Sequence, residues 1–176
     1  MSSLRPVTGT PSEVLGLLRD WDAGRSEPQP LVIETSGSTG EPKRVLLSRA
    51  AMRASASATH ARLGGPGQWL LALPPTYVAG VQVLYRSVLA GTAPVVMSDG
   101  LPSAVAAMHG SRRYLSLVPT QLRRMLSFDE DTEALRAFDA ILLGGAALAP
   151  SLRTTAERAG LTVVATYGMS ETCGGC

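Results

Sequence analysis

A nine-residue segment at positions 35–43, TSGSTGEPK, concentrates residue types that bind anions. Glycines let the backbone approach an anion, hydroxyl and backbone N–H groups donate hydrogen bonds to it, and a lysine adds a positive charge. The segment therefore predicts a loop that holds a polyphosphate. On composition alone, a ligand-free Ser/Gly-rich turn is the alternative. The candidate binding residues are Thr35, Ser36, Gly37, Ser38, Thr39, Gly40 and Lys43.

The segment differs from a Walker A loop, which needs a glycine, four residues and then Gly-Lys-Ser/Thr. Counted from Gly37, Pro42 stands where the second glycine belongs, and Arg44 follows the lysine. The apolar runs on either side, 31–33 and 44–47, predict two strands. We therefore expect a hairpin whose loop folds over a nucleotide at the rim of the sheet, where open α/β folds bind ligands.

A second candidate loop, formed by Gly144, Gly145 and Ala146, follows the apolar run 140–143. Paired glycines leave backbone N–H and C=O groups accessible, which suits contact with the edge of a flat ring. For this loop taken alone, the alternative is a plain turn between a strand and a helix that begins near Pro150.

A third candidate loop, YGMSET at positions 167–172, follows the run 161–165 and supplies an aromatic ring, a hydroxyl and a carboxylate. The ring could stack on a base, the hydroxyl could donate to a phosphate and the carboxylate could hold Mg²⁺. An ordinary exposed loop is the alternative. However, all three loops are expected at one rim of the sheet, and together they favour a nucleotide site. The candidates in this loop are Tyr167, Gly168, Met169, Ser170 and Glu171.

The composition of the 176-residue chain fits one folded domain, since 45% of its residues are hydrophobic and its net charge is only +2. Arginines are scattered and aromatic residues make up 5% of the chain, so we expect no nucleic-acid partner. The longest apolar-leaning run, 78–90, is short and is interrupted by Gln82 and Arg86, so no membrane span is expected. No signal peptide is recognisable, and the protein is predicted to be cytoplasmic.

Cysteine and histidine usage gives little reason to expect redox or metal-cluster chemistry. Cys173 and Cys176 form a C-x-x-C pair, but a thioredoxin-like pair opens a helix and a zinc site needs two further ligands. His60 and His109 each stand alone on alanine-rich helical segments. We therefore expect two free thiols in a reducing compartment.

Strand-like apolar runs alternate with helical patterns through most of the chain, which predicts an α/β fold: a three-layer, mostly parallel sheet with helices on both faces. Residues 1–30 are expected to form an N-terminal helix and linker, and 31–176 the α/β domain. The predicted strands are 31–35, 44–47, 68–73, 94–97, 114–118, 139–143 and 162–166. The predicted helices are 12–20, 48–63, 78–90, 101–109, 119–127 and 150–159. Ser48 and Pro150 suit helix N-termini, and Gly91, Gly110 and Gly160 suit C-caps.

The three loops, with the blocks SLVPTQLRRML and ILLGGAAL in the expected order, resemble the motifs of the adenylate-forming superfamily of AMP-binding enzymes and acyl-CoA synthetases. TSGSTGEPK resembles its phosphate-loop signature and YGMSET its adenylate-binding signature. Within that superfamily, the chain is similar to the o-succinylbenzoate–CoA ligases of menaquinone biosynthesis. The narrower similarity lies in LALPPTYVAGVQVLYRSVLAG, YGMSETCGGC and the short segment before the phosphate loop.

The resemblance implies an ATP-dependent acid–CoA ligase, of which this chain would be the N-terminal part. A carboxylate would attack the α-phosphorus of ATP to give an acyl-adenylate and pyrophosphate, and the thiol of coenzyme A would then displace AMP. The implied ligands are a small carboxylic acid, ATP, Mg²⁺ and coenzyme A.

The same resemblance assigns roles to the candidate residues. The loop at 35–43 would wrap the β- and γ-phosphates, the loop at 144–146 would border adenine and the acyl pocket, and the ring of Tyr167 would stack on adenine. Lys43, Ser170 and Glu171 would be catalytic, with Ser170 contacting the α-phosphate and Glu171 binding Mg²⁺. The acid pocket would be lined by Tyr77, Val78, Ala79 and Gly80, where many relatives carry a histidine or another aromatic residue at the tyrosine position.

The chain departs from the superfamily pattern after Glu171. In relatives, an aspartate that binds the ribose and a small C-terminal domain with a catalytic lysine would follow. We therefore expect a truncated chain that adenylates poorly on its own. The alternatives are another aryl- or acyl-CoA ligase, a carrier-protein adenylation domain, or a non-catalytic nucleotide- or acyl-binding module. The sequence leaves homo-oligomerisation open.

Overall fold

A computed structural model describes residues 6–35 and 43–175 of the chain. Its helices are α1 (Pro11–Ala23), α2 (Arg49–Arg62), α3 (Val78–Ala90), α4 (Leu101–Ala106), α5 (Pro119–Met125), α6 (Asp129–Leu135) and α7 (Pro150–Arg158), with a short 3₁₀ helix at Ser170–Thr172. Its strands are β1 (Leu31–Thr35), β2 (Lys43–Leu47), β3 (Gln68–Leu71), β4 (Val95–Val96), β5 (Arg113–Leu117), β6 (Ala140–Leu143), β7 (Val163–Ala165), β8 (Gly168–Met169) and β9 (Gly174–Gly175).

The centre of the fold is a five-stranded parallel sheet in the order β4-β3-β5-β6-β7. One row of paired residues crosses the whole sheet, running through Val95, Leu70, Leu115, Ile141 and Val163. The three inner strands β3, β5 and β6 are buried over almost their whole length, as is typical of strands covered on both faces. The predicted mostly parallel sheet is therefore confirmed.

Alternate residues of the strands enter two separate hydrophobic cores. Trp69 and Tyr114 face the core formed with α1, α2, α3 and the β1–β2 hairpin. Leu70, Leu115 and Ile141 face the core formed with α4, α5, α6 and α7. Because successive side chains of a strand point to opposite faces, the sheet is covered on both sides and the molecule has three layers.

The chain reverses its direction across the sheet at one point. From β3 it passes through α3 to the edge strand β4, and from there it returns through α4 to β5 on the opposite side of β3. The connections therefore diverge between the carboxyl ends of β3 and β5, and such a switch point leaves a crevice between neighbouring loops.

The β1–β2 hairpin stands apart from the parallel sheet. Its strands pair antiparallel from Leu31 opposite Leu47 to Thr35 opposite Lys43, so the predicted hairpin is confirmed. The expectation that its loop leaves the rim of the central sheet is wrong, because β1 and β2 form a separate two-stranded sheet, to which Pro6 adds a single parallel bridge at Val32.

Several helix ends follow their sequence signals. The Ser48 hydroxyl accepts a hydrogen bond from the backbone N–H of Ala51 at 3.2 Å and caps α2, and Gly91 ends α3 in the left-handed conformation at φ 65°. Gly110 does not end a helix, since α4 stops at Ala106. The acidic helix α6 lies where no helix was predicted, and only Leu135 of it is buried.

Candidate functional site

The crevice at the switch point contains a cavity of about 150 Å³, here named the inner cavity. Its walls come from the segment after β3, the buried face of α3, the carboxyl ends of β5 and β6, and the segment after β7. Gln121 at the start of α5 holds two of these walls together. Its side-chain Nε2 donates to the Ala72 carbonyl at 2.8 Å, and its Oε1 accepts from the Val118 N–H at 3.0 Å.

The N-terminus of α3 meets the preceding segment with no room for a side chain. A Cβ added at Gly80 would lie 2.0 Å from the Pro74 carbonyl oxygen, so only glycine fits this contact. The contact sets Val78 and Ala79 at the wall of the inner cavity. Gly80 itself is buried behind that wall, and Tyr77 is the N-cap residue of α3 with 59% of its surface exposed.

A buried cation lies in the inner cavity. Arg86 is 4% exposed, and its guanidinium stacks over the Trp69 ring with its central carbon 5.0 Å from the ring centroid. Burial lowers its pKa to about 10, so the side chain still carries its positive charge at neutral pH. Its Nε has no hydrogen-bond partner, and no carboxylate in the described part of the chain forms an ion pair with it.

Two further polar side chains of the cavity are buried with unpaired atoms. Ser116 of β5 is 7% exposed and Gln82 of α3 is 1% exposed, and neither the serine Oγ nor the glutamine Oε1 has a partner among the described residues. Buried polar atoms are normally hydrogen-bonded, and unpaired ones that converge on a cavity are typical of a ligand site. Together with Arg86, these groups offer donors and an acceptor to a small polar ligand.

The sequence-based site prediction did not include Gln82, Arg86 or Ser116. The available signal was the pair of polar residues four positions apart in the otherwise apolar run 78–90, which places them on one face of α3. Ser116 lay inside the quoted block SLVPTQLRRML, but nothing in its spacing distinguished it from an ordinary strand serine.

A second pocket of about 510 Å³, here named the outer pocket, adjoins the inner cavity. Gly145, Thr166 and Gly168 line both spaces and form their common border. The outer pocket is otherwise made by the loops that follow β6 and β7, including Ala146 and the Tyr167 ring, which is 75% exposed. The adjacent strand ends therefore bring two of the predicted loops together.

Glycine is required where these two loops touch. A Cβ at Gly144 would lie 2.7 Å from the Thr166 Oγ1, and Gly145 adopts φ 78°, which L side chains rarely occupy. The Thr166 hydroxyl is fixed because it donates to the Leu143 carbonyl at 3.1 Å. The backbone of both loops consequently lines the outer pocket at close range.

The remaining predicted residues lie on neighbouring segments. Ser170 is buried and Glu171 is exposed on the 3₁₀ helix, which packs against β2. Met169, in β8 just before this helix, is 46% exposed. Lys43 begins β2 and is exposed, and the Thr35 hydroxyl donates to the Lys43 carbonyl at 3.5 Å. The hairpin that carries the predicted phosphate loop thus lies beside the segment that carries the serine and the carboxylate.

Five of the predicted phosphate-loop residues lie outside the described residues, namely Ser36, Gly37, Ser38, Thr39 and Gly40. Cys176 also lies outside them, and Cys173 is a buried free thiol whose pKa is raised by burial. Among the helices that the structure describes, none combines the length and apolar character needed to cross a bilayer.

A doubly covered parallel sheet with a switch-point cavity, joined to a pocket between two loops at the carboxyl ends of the strands, is typical of α/β proteins of the nucleotide-binding type. The family model of the AMP-binding enzymes matches residues 27–176, so the chain belongs to the AMP-binding enzyme family. The resemblance to adenylate-forming enzymes that the motifs indicated is therefore confirmed.

Several curated and solved relatives are named as ligases of 2-succinylbenzoate and coenzyme A. A probable 2-succinylbenzoate–CoA ligase from Mycobacterium tuberculosis is 50% identical over 153 residues, which cover 83% of this chain and 40% of the relative. The O-succinylbenzoate coenzyme A synthetase MenE from Bacillus subtilis, solved in complex with ATP and magnesium ion, is 28% identical with a TM-score of 0.69. This match covers 82% of the present chain and 31% of the enzyme. The same enzyme in complex with the acyl-adenylate intermediate OSB-AMP is also 28% identical, with a TM-score of 0.69. This match covers 82% of the present chain and 30% of the enzyme. The chain thus spans 40% or less of the length of these relatives.

Proposed function

We propose that this chain is the acid- and ATP-binding part of an acid–CoA ligase that activates 2-succinylbenzoate, or a closely similar aromatic dicarboxylate, as an acyl-adenylate. The observation that carries this proposal is the buried, unpaired guanidinium of Arg86 in the inner cavity. The names of the relatives support the ligase class and the acid.

A buried cation without a counter-ion is costly for the folded protein, and a ligand carboxylate would supply the missing partner. 2-Succinylbenzoate carries two carboxylates, so one can react with ATP while the other stays negatively charged. The Arg86 guanidinium and the Ser116 hydroxyl are the donors available to that second carboxylate. A fatty acid or a simple aryl acid has only one carboxylate and would place an apolar group against the cation, which disfavours both alternatives.

The outer pocket is the proposed site of the nucleotide. Adenine would lie against the backbone of the loop at 144–146 and beneath the Tyr167 ring, while Ser170 would contact the α-phosphate. Lys43 and the loop that precedes it would contact the β- and γ-phosphates. Because Gly145, Thr166 and Gly168 border both spaces, a carboxylate that reaches out of the inner cavity would meet the α-phosphate at this border.

The side chains present fit Mg²⁺ bound as a nucleotide complex. In the described residues there is no cluster of three or more His, Cys, Asp or Glu side chains, so no all-protein metal cage exists there. Mg²⁺ characteristically uses one or two carboxylates together with substrate phosphates and water, and the exposed carboxylate of Glu171 can serve as such a ligand. The ion would neutralise phosphate charge.

The proposed reaction proceeds in two displacements. A carboxylate oxygen attacks the α-phosphorus, the bond from that phosphorus to the oxygen bridging to the β-phosphate breaks, and pyrophosphate leaves. The sulfur of coenzyme A then attacks the acyl carbonyl, the bond to the AMP oxygen breaks, AMP leaves, and the thiol proton passes to solvent. The chain would contribute positioning and charge rather than a nucleophile.

Calorimetric titration of the chain with two acids tests the proposal. One acid is 2-succinylbenzoate, and the other is 3-benzoylpropionate, which lacks the ring carboxylate. We expect Arg86→Met to weaken binding of the first acid by roughly 30-fold or more, as for truncated buried charge pairs, and to leave the second unchanged. Arg158→Met, at an exposed arginine of α7, is the matched control and should bind both acids as the parent does.

Equal affinity of the parent protein for the two acids would contradict the proposal, as would unchanged binding of 2-succinylbenzoate by Arg86→Met. Binding is the primary measurement because it tests recognition of the ring carboxylate directly. Titration with AMP in the same buffer tests the nucleotide pocket separately, and absence of AMP binding would count against the ligase assignment.

A further inference from the structure

One side chain of the inner cavity reaches the segment that carries Ser170 and Glu171. The Gln82 side-chain Nε2 donates to the backbone carbonyl of Cys173 at 2.5 Å, between two residues 91 positions apart in sequence. The carboxamide is buried, and the Met52 sulfur at 3.4 Å is its other contact of this kind. A buried polar group is costly unless it is hydrogen-bonded, so this bond has a specific structural role.

The accepting residue lies in an unfavourable backbone conformation. Cys173 ends the 3₁₀ helix at φ 58°, the left-handed region that non-glycine residues seldom occupy. Its carbonyl also accepts a hydrogen bond from the Ser55 hydroxyl of α2 at 3.3 Å. A Cβ at Gly174 would lie 3.0 Å from the Gln82 Cγ, so the turn packs directly on this side chain. Two donors from two helices therefore hold the turn that follows Ser170 and Glu171.

The other end of the same carboxamide belongs to the inner cavity. Gln82 lines that cavity together with Arg86, which lies one helical turn further on the same face of α3. The Gln82 Oε1 is buried and has no partner in the described residues. A ligand in the cavity would thus pack against the side chain whose amide nitrogen fixes the turn at Cys173.

We propose that Gln82 is a positioning residue that couples occupancy of the inner cavity by the acid to the placement of the segment carrying Ser170 and Glu171. The inference rests on the proposed function, since it links the acid site to the nucleotide site. Coupling of this kind is reciprocal: the acid raises the affinity for AMP by the same factor by which AMP raises the affinity for the acid. We expect a factor of roughly 10 in the parent protein, within the usual range for coupled sites.

Calorimetry measures this factor as the ratio of AMP dissociation constants without and with saturating 2-succinylbenzoate. In Gln82→Met, which keeps an unbranched side chain of similar length but removes the amide, we expect the ratio to fall to about 1. Ser55→Ala is the matched control, because it removes the other donor to the Cys173 carbonyl without altering the cavity. We expect it to weaken AMP binding in both conditions and to keep the ratio. A purely structural role for Gln82 would give the two variants the same behaviour and would overturn the inference.

Hydrogen exchange of the ligand-free protein is a second test of the positioning role of Gln82. We expect the peptide covering 168–175 to exchange roughly 3- to 10-fold faster in Gln82→Met, as for loss of one buried hydrogen bond, with β5 and β6 unchanged. Unchanged exchange in this peptide would overturn the positioning role. If the parent binds both ligands but its AMP dissociation constant is the same without and with 2-succinylbenzoate, the inference fails while the proposed function stands. If the parent binds neither ligand, the proposed function fails and the inference falls with it.

Discussion

The inner cavity and the outer pocket share a border but are built from different parts of the chain. The inner cavity contains buried polar side chains from the interior of α3 and β5, and three of their atoms, Gln82 Oε1, Arg86 Nε and Ser116 Oγ, lack partners within the described structure. The outer pocket is lined by the two loops that follow β6 and β7, with small residues such as Gly145 and Ala146 and the largely exposed Tyr167. Surface loops of small residues suit a ligand part that is common to a family, whereas side chains packed into a core can select one particular ligand.

This difference predicts which substitutions matter most. Changes at the inner cavity should affect packing, stability and acid binding together, because its side chains are also core residues. Changes at the outer pocket should affect nucleotide binding with small effects on stability, because its loops lie at the surface.

The largest effect is expected at Gly80, the glycine buried behind the wall of the inner cavity. Gly80→Ala places a Cβ 2.0 Å from the Pro74 carbonyl oxygen, a backbone atom that cannot move aside without displacing the segment after β3. We expect the free energy of unfolding to fall by about 3 kcal/mol or more. Gly145→Ala in the outer pocket meets the Val118 Cγ1 at 3.2 Å and is strained by φ 78°, so a loss of about 1–2 kcal/mol is expected. Urea denaturation measures both.

The control for these two variants is Gly16→Ala in α1, where an added Cβ has no neighbour within 4 Å. It should raise the free energy of unfolding by about 0.5–1 kcal/mol, since alanine favours a helix interior. If Gly145→Ala were as damaging as Gly80→Ala, the contrast between a core-like cavity and a surface pocket would not hold.

The second effect is a gain in the free energy of unfolding rather than a loss. Arg86→Met removes a buried cation that has no counter-ion in the ligand-free protein, and it also loses the stacking on Trp69. Replacing buried charge by an apolar side chain is often stabilising, and we expect a gain of about 1–2 kcal/mol in the free energy of unfolding after the lost stacking is counted. The melting temperature of the ligand-free protein should therefore rise by about 2–8 °C. A lower melting temperature of Arg86→Met than of the parent would show that the ligand-free fold already compensates the positive charge of Arg86.

The sequence predicted those parts of the fold that depend on local signals. Helix α3 begins and ends where its apolar run and Gly91 indicated, and the apolar runs 31–33 and 44–47 indicated the β1–β2 hairpin. Helix α6 was missed because its acidic residues show no apolar stripe, and it is held mainly through Leu135. In each case, the periodicity or turn chemistry of a short segment decided the outcome.

The inner cavity could not be predicted in the same way. Whether Arg86 is a surface or a buried residue depends on Trp69 and on the way α3 packs over β3, which are contacts between distant segments. The face of the sheet to which Ser116 points depends on the register of β5 against β3 and β6. A single sequence contains no local signal for either contact, so the residues that would choose the acid became visible only in the structure.

The third effect is a change in AMP binding, which should follow loss of Tyr167 but not loss of Tyr77. If the Tyr167 ring stacks on adenine, Tyr167→Ala should weaken AMP binding by roughly 10-fold, as expected for loss of one base–aromatic stack, and leave acid binding unchanged. Tyr77→Ala is the matched variant, because this tyrosine is also largely exposed but stands at the N-terminus of α3 beside the inner cavity. It should leave AMP binding unchanged. Calorimetry with each ligand measures both, and a loss of AMP binding in Tyr77→Ala would show that the two sites are not separate.

The smallest effect is a pH dependence of the free energy of unfolding, caused by a buried histidine. His60 of α2 is buried with its Nε2 unpaired, and burial, assisted by the positive charge of Arg86, lowers its pKa below the ordinary value of 6.5. Below that ordinary value the unfolded chain binds a proton at this position while the folded chain does not, so the free energy of unfolding falls as the pH falls. The contribution is fully present above pH 6.5 and is lost progressively as the pH falls below that value.

His60→Leu should remove this loss, so that urea denaturation at pH 7.5 and pH 5.5 gives a smaller difference than in the parent. His109→Leu, at an exposed histidine, is the matched control and should keep the parental difference. The Arg86→Met variant sharpens the test, because removing the neighbouring cation should raise the pKa of His60 and reduce the same difference in part. If His60→Leu and His109→Leu gave equal differences, the buried histidine would not be the source of the acid sensitivity.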